Sequence, residues 1–141
     1  MANQIFINLP VKDLKKATTF FTKTGFTFDK QFTDKKASCM IIQKNSIYAM
    51  LIAQEYFKTF TKKPISNAKK TTEALFAIQL ASRKAVDTMV NNAMKAGAKK
   101  YRKDDDYGWM YTRCFEDLDG HQWEVFQMDV KKMPKAGKKK K

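Results

Sequence analysis

The chain has 141 residues, 43% of them apolar, and carries 28 Lys plus Arg against 14 Asp plus Glu, a formal charge of +14. That length suits about one ordinary domain, and 11 Phe supply material for a core. A single His excludes a metal held by three imidazoles of one chain, and two Cys exclude a disulfide scaffold.

Residues 4–10 alternate. Ile5, Ile7 and Leu9 point one way, Phe6 and Asn8 the other, which is the period of a strand. Asp13 reads as a helix N-cap, with Leu14, Ala17, Phe20 and Phe21 at helical spacing and Gly25 as the stop. Residues 26–32, rich in Phe and Thr, predict a strand. Residues 37–43 and 47–53 are apolar runs around Lys44-Asn45-Ser46, a β-hairpin pattern. Tyr56, Phe57 and Phe60 predict a short amphipathic turn of helix. Thr61 to Thr72 is polar, contains Pro64 and reads as a linker.

The order then repeats. Residues 73–80 predict a strand. Residues 82–96 predict a helix capped by Ser82, with Val86, Met89, Val90 and Ala93 inward and Gly97 as the stop. Residues 99–103 read as a short polar strand and 104–108 as a loop. Residues 109–116 and 122–129 read as strands joined by Asp117-Leu118-Asp119-Gly120-His121, whose Asp-Gly pair is a hairpin signal. Residues 131–141 hold seven Lys and no acid, so half of the net charge sits in a tail expected to be disordered. The body keeps 21 basic and 14 acidic residues. Its cations are mostly scattered Lys, with Arg only at 83, 102 and 113. This reads as a solvated surface, and a basic module for nucleic acid is a lesser alternative. No apolar run approaches the ~20 residues of a membrane span, and the first residues show no secretion signal, so a cytoplasmic location is expected.

The fold class is therefore α+β, two tandem βαβββ modules: module one at 3–55, a linker at 56–72 and module two at 73–130, together one domain over 1–130. Spacing supports a duplication. Cys39 precedes Ala49 by ten residues, as Cys114 precedes Glu124, and Asn45 and Gly120 fall at comparable turns.

The residues Asn8-Leu9-Pro10-Val11-Lys12-Asp13-Leu14, Phe20-Phe21 with Gly25-Phe26, and Phe115-Glu116-Asp117-Leu118-Asp119-Gly120-His121-Gln122-Trp123-Glu124 make the chain resemble the vicinal oxygen chelate superfamily. That group includes glyoxalase I, bleomycin-resistance proteins, fosfomycin-resistance enzymes and extradiol dioxygenases. The chain looks most like its small glyoxalase-like bacterial proteins. The resemblance implies two half-barrels around a cleft, often a homodimer, and in metal-dependent members a divalent ion held by first and last strands of each module. The ion would polarise two substrate oxygens while a carboxylate moves a proton.

Carried onto this chain, the resemblance places the ligand positions at Phe6, Ala49, Glu73 and Glu124. Phe6 and Ala49 cannot coordinate an ion, and two carboxylates without imidazole suit at most a hard cation. Glu124 is the candidate catalytic base or ligand, and otherwise a polar residue of the cleft wall. Glu73 is a candidate ligand, and otherwise a surface charge. His121 reads as turn support, and Cys39 and Cys114 as small buried residues. Ligand-binding candidates are Phe6, Asn8 and Phe126, with Met128 on the same face. Tyr111 and Arg113 share a face with Trp109 and Phe115. Facing the cleft they would hold an anionic or hydroxylated ligand. Facing out, Arg113 is a surface charge.

The favoured function is a glyoxalase-like small-molecule-binding protein with a degenerate metal site, sequestering or weakly transforming its ligand. No cofactor is expected, and a divalent metal is the alternative. A metal-dependent lyase or isomerase of the glyoxalase type, or a related dioxygenase, is the second reading.

Overall fold

The computed structural model describes residues 1–135. The chain divides into two compact units, Met1–Asn67 and a second from Ala68 onward. The division falls inside the polar stretch expected to be a linker.

In the first unit, β1 (Ile5–Val11), β2 (Thr27–Asp29), β3 (Ala37–Gln43) and β4 (Ile47–Ala53) form one sheet in the order β1-β4-β3-β2, with β1 parallel to β4 and the other pairs antiparallel. Pro10 cannot donate to a ladder, and it is tolerated because β1 is an edge strand. α1 (Leu14–Thr24) begins where Asp13 accepts from the Lys16 N–H at 3.0 Å. It ends at Gly25, whose φ of 123° few other residues adopt. α1 buries Ala17, Phe20, Phe21 and Thr24. Phe21 meets Phe20 and Phe26 edge-on, at 4.9 and 5.7 Å between ring centres. The strand expected over 26–32 is shorter. β2 stops at Asp29, whose side chain accepts from Gln31 N–H at 2.9 Å and starts a 3-10 turn over Lys30–Phe32. α2 (Gln54–Phe57) and a 3-10 turn at Lys58–Phe60 form the expected short helical segment.

The second unit repeats the plan. β5 (Leu75–Gln79), β6 (Asp105–Asp106), β7 (Met110–Glu116) and β8 (Gln122–Met128) pair in the order β5-β8-β7-β6, with β5 parallel to β8. α3 (Arg83–Lys95) is capped by Ser82, which accepts from Ala85 N–H at 3.1 Å, and it buries Val86, Val90 and Ala93. The core beneath it includes Phe115, Trp123 and Val125, all with no exposed surface. The polar strand expected at 99–103 is reduced to a single bridge between Lys99 and Glu116, and the expected loop at 104–108 contains β6. Lys131 and Lys132, the first residues of the Lys-rich tail, end a 3-10 turn over Val130–Lys132 started by the Asp129 side chain, and residues 136–141 lie outside the described residues.

The β7–β8 turn is organised by the buried Asp117. Its carboxylate accepts from the N–H groups of Asp119 and His121 at 2.9 and 3.0 Å and from Trp123 Nε1 at 3.0 Å. Gly120, at φ 93°, sits against the Ala68–Lys69 backbone, where a Cβ would fall 2.6 Å from the Lys69 nitrogen. His121 thus serves the turn through its backbone. Asp117→Ala leaves the Trp123 indole N–H and two backbone donors without their acceptor, and is expected to lower stability by about 3 kcal/mol in urea denaturation.

Candidate functional site

Register decides which side chains share a face, because directly paired residues project to the same side of a sheet. In the second unit Tyr111 pairs with Gln127, Arg113 with Val125, and Phe115 with Trp123. This face lies toward α3. The Tyr111 hydroxyl donates to Asp87 Oδ1 at 2.6 Å, and Arg113 Nη1 donates to Asp87 Oδ1 and Asn91 Oδ1, both at 3.0 Å. Burial and the neighbouring Asp87 push the Tyr111 phenol up to about 12. The structure thereby settles the choice left open for the odd-numbered residues of β7. Tyr111 and Arg113 do not join Glu124. They fasten α3 to the strand.

The opposite face carries Cys114 paired with Glu124, Thr112 with Phe126 and Met110 with Met128, and β5 adds Leu75, Ala77 and Gln79. Glu124 and Phe126 thus share a face, as expected. Thr112 Oγ1 on this face is buried and has no hydrogen-bond partner. Cys114 is buried, and burial pushes its thiol up, so it is a neutral group of the wall.

Arg102 reaches this face. Its Nη2 lies 3.4 Å from Glu124 Oε2, and its Nη1 donates to Asp105 Oδ2 at 2.8 Å and to the Lys103 carbonyl at 3.2 Å. The Arg102–Glu124 pair is the site feature that sequence reading missed. Both residues stood in the sequence, but the contact joins positions 22 apart. One signal was available: Asp104-Asp105-Asp106 is used in strict alternation. Asp106 takes the Arg83 guanidinium on both oxygens, at 2.9 and 2.5 Å, and Asp104 lies 3.4 Å from Arg113 Nε. Asp105 turns the other way, to Arg102.

In the first unit the Thr18 hydroxyl lies 2.9 Å from Ser38 Oγ, so Ser38 marks the face toward α1. Ser38 pairs with Leu51, and Met40 with Ala49. Ala49 is therefore a buried core residue under α1 and not a position on the open face. The reason is a β-bulge. Pairing shifts between Ile41 and Gln43, so Cys39 faces Met50, whereas Cys114 faces Glu124. The spacing match of Cys39 to Ala49 was thus one residue short, and Met50 is the true counterpart of Glu124. Phe6, Asn8, Tyr48 and Met50 share the face away from α1. Phe6 stacks on Tyr48 with ring centres 4.7 Å apart, and stays 41% exposed.

A second correction follows from the same register. Asn8 pairs with Met50 as Ala77 pairs with Glu124, so the counterpart of Phe6 is Leu75. Glu73 precedes β5, is exposed, and does not occupy that position. The four equivalent positions are Phe6, Met50, Leu75 and Glu124.

The Glyoxalase/Bleomycin resistance protein/Dioxygenase superfamily model matches residues 3–125, and the chain belongs to this superfamily. Among solved structures, a hypothetical protein from S. aureus is similar at a TM-score of 0.75 and 23% identity, covering 90% of this chain and 94% of that one. A glyoxalase/bleomycin resistance protein/dioxygenase family enzyme from Burkholderia phytofirmans PsJN is similar at a TM-score of 0.75 and 15% identity, covering 91% of this chain and 100% of that one. The fosfomycin resistance protein FosX from Listeria monocytogenes is similar at a TM-score of 0.66 and 16% identity, covering 93% and 97%. These likenesses establish the fold. No match to a curated protein is found.

The superfamily often uses a divalent metal, and the residues at the expected positions do not fit one. Three are apolar, and Glu124 is engaged by Arg102. Among the described residues no group of three or more His, Cys, Asp or Glu could hold a metal ion. No helix of the described residues is long and apolar enough to cross a membrane.

The Arg83 guanidinium and the Gly108 N–H hold the Asp106 carboxyl down at about 2. A carboxyl held below its unfolded value of ~3.9 adds stability above that value and loses it as pH falls through about 2. NMR titration is expected to find Asp106 at about 2 and to find it moved up toward an ordinary carboxyl in Arg83→Ala.

Proposed function

We propose that this protein binds an amphipathic small molecule without a metal, on the face of its second-unit sheet turned away from α3, and sequesters it or transforms it weakly. The observation that carries the reading is the residue set at the four equivalent strand positions. Phe6, Met50 and Leu75 are apolar there and only Glu124 is charged, and on the second-unit face Leu75, 51% exposed, offers apolar contact beside it. Phe126 extends this face with an aromatic ring, and Phe6 and Asn8 stand at the matching places of the first-unit sheet. Such a mixture of apolar walls and few polar groups is the ordinary make-up of a small-molecule site. The fosfomycin-resistance relative supports a link to small molecules at the level of the superfamily.

A glyoxalase-type lyase with Glu124 as base is the alternative. It has against it the Arg102 contact, which occupies the carboxylate. A homodimer belongs to the proposal by family resemblance, and light scattering at twice the chain mass would support it.

The test uses protein stripped with a chelator and the amphipathic fluorophore 1-anilinonaphthalene-8-sulfonate as probe. Saturable binding is expected, unchanged by chelator. Phe126→Ser is expected to weaken it about tenfold, the loss of one well-buried aromatic contact. Binding that needs an added divalent ion, or that Phe126→Ser leaves unchanged, would overturn the reading.

A further inference from the structure

We propose that Arg102 is the resident cation of the Glu124 face: its guanidinium stands against the one carboxylate left at the metal-ligand positions and excludes a divalent ion from it. The inference rests on the metal-independent reading above and deepens it.

The geometry is specific. Arg102 bridges two carboxylates, Asp105 at 2.8 Å and Glu124 at 3.4 Å, and donates to the Lys103 carbonyl at 3.2 Å. A guanidinium keeps its charge at every accessible pH. An ion seated at Glu124 would therefore meet a fixed positive charge a few ångströms away, and like charges at such range repel strongly near a protein surface. The same contact occupies a lone pair of Oε2 that an ion would need. The arrangement is also held in place. Asp104 and Asp106, on either side of Asp105, are tied to Arg113 and Arg83. β6 pairs Asp105 with Thr112 and Asp106 with Tyr111. The strand thus cannot turn Asp105 away from Arg102 without breaking two ion pairs and its pairing to β7. Arg102 itself is only 35% exposed. Tyr101, the preceding residue, lies with its hydroxyl 3.4 Å from the Trp123 carbonyl, beside the same strand.

The arrangement has a consequence that a merely structural ion pair lacks. Asp105 and Glu124 converge on one guanidinium. Removing that group leaves two carboxylates facing a common space, and oxygen donors of this kind suit a hard divalent ion completed by water.

The experiment is titration of the full chain with Mn²⁺, followed by calorimetry and by the electron paramagnetic resonance signal of the free ion. Wild-type protein is expected to show no saturable site. Arg102→Met, which keeps the length of the side chain and removes the charge, is expected to bind Mn²⁺ at least tenfold more tightly than wild type. The gain is expected to vanish in the double variant Arg102→Met/Glu124→Gln. Circular dichroism verifies folding, and Arg102→Gln carries the same test if the Met variant does not fold. Variants that fold and gain no Mn²⁺ affinity would overturn the role of Arg102 while leaving metal-independent ligand binding intact. A stoichiometric Mn²⁺ site in wild type, lost in Glu124→Gln, would overturn both.

Discussion

The placement of the candidate residues on the strands depends on one constraint: a single helix packs on one face of each four-stranded sheet. Strand side chains alternate, so covering one face with α1 or α3 assigns each residue to the core or to the other side. In the second unit Trp123, Phe115 and Val125 are drawn under α3 by apolar burial. Their alternates Cys114, Glu124 and Phe126 are then directed to the opposite face with no further choice. Tyr111 and Arg113 carry polar ends on the helix side, and Asp87 supplies the acceptor that makes their partial burial tolerable.

The same constraint explains why the two halves differ in chemistry while sharing a plan. A bulge in β3 moves the pairing by one residue, so the counterpart of Glu124 becomes Met50 and Ala49 is buried. An alignment by sequence spacing treats the two hairpins as equal. A sheet does not, because one residue of slip exchanges its faces. With Leu75 rather than Glu73 at the matching place on β5, the polar character of these faces is concentrated on Glu124 and its guanidinium partner.

That partner gives the second unit a local balance of charge that the overall +14 conceals. Arg102, Asp105 and Glu124 form a compact cluster, and two further acids brace it from the helix side through Arg83 and Arg113. Ion pairs this exposed contribute little to stability individually. Their effect is positional: they fix which groups meet at Glu124.

The sequence by itself determined the repeated βαβββ order, the helix limits at Asp13, Gly25, Ser82 and Gly97, the β7–β8 turn and the placing of Glu124 and Phe126 on one face of their strand. These are local matters, set by caps, turn residues and period-two or helical spacing. It did not determine where β2 ends, the strand β6 inside an Asp run, or the role of Arg102, since each depends on contacts that local propensity does not encode. The faces of β7 and the register of β3 against β4 were decided only in the tertiary structure. Alternation leaves two equivalent orientations for a strand, and helix packing together with one bulge chooses between them.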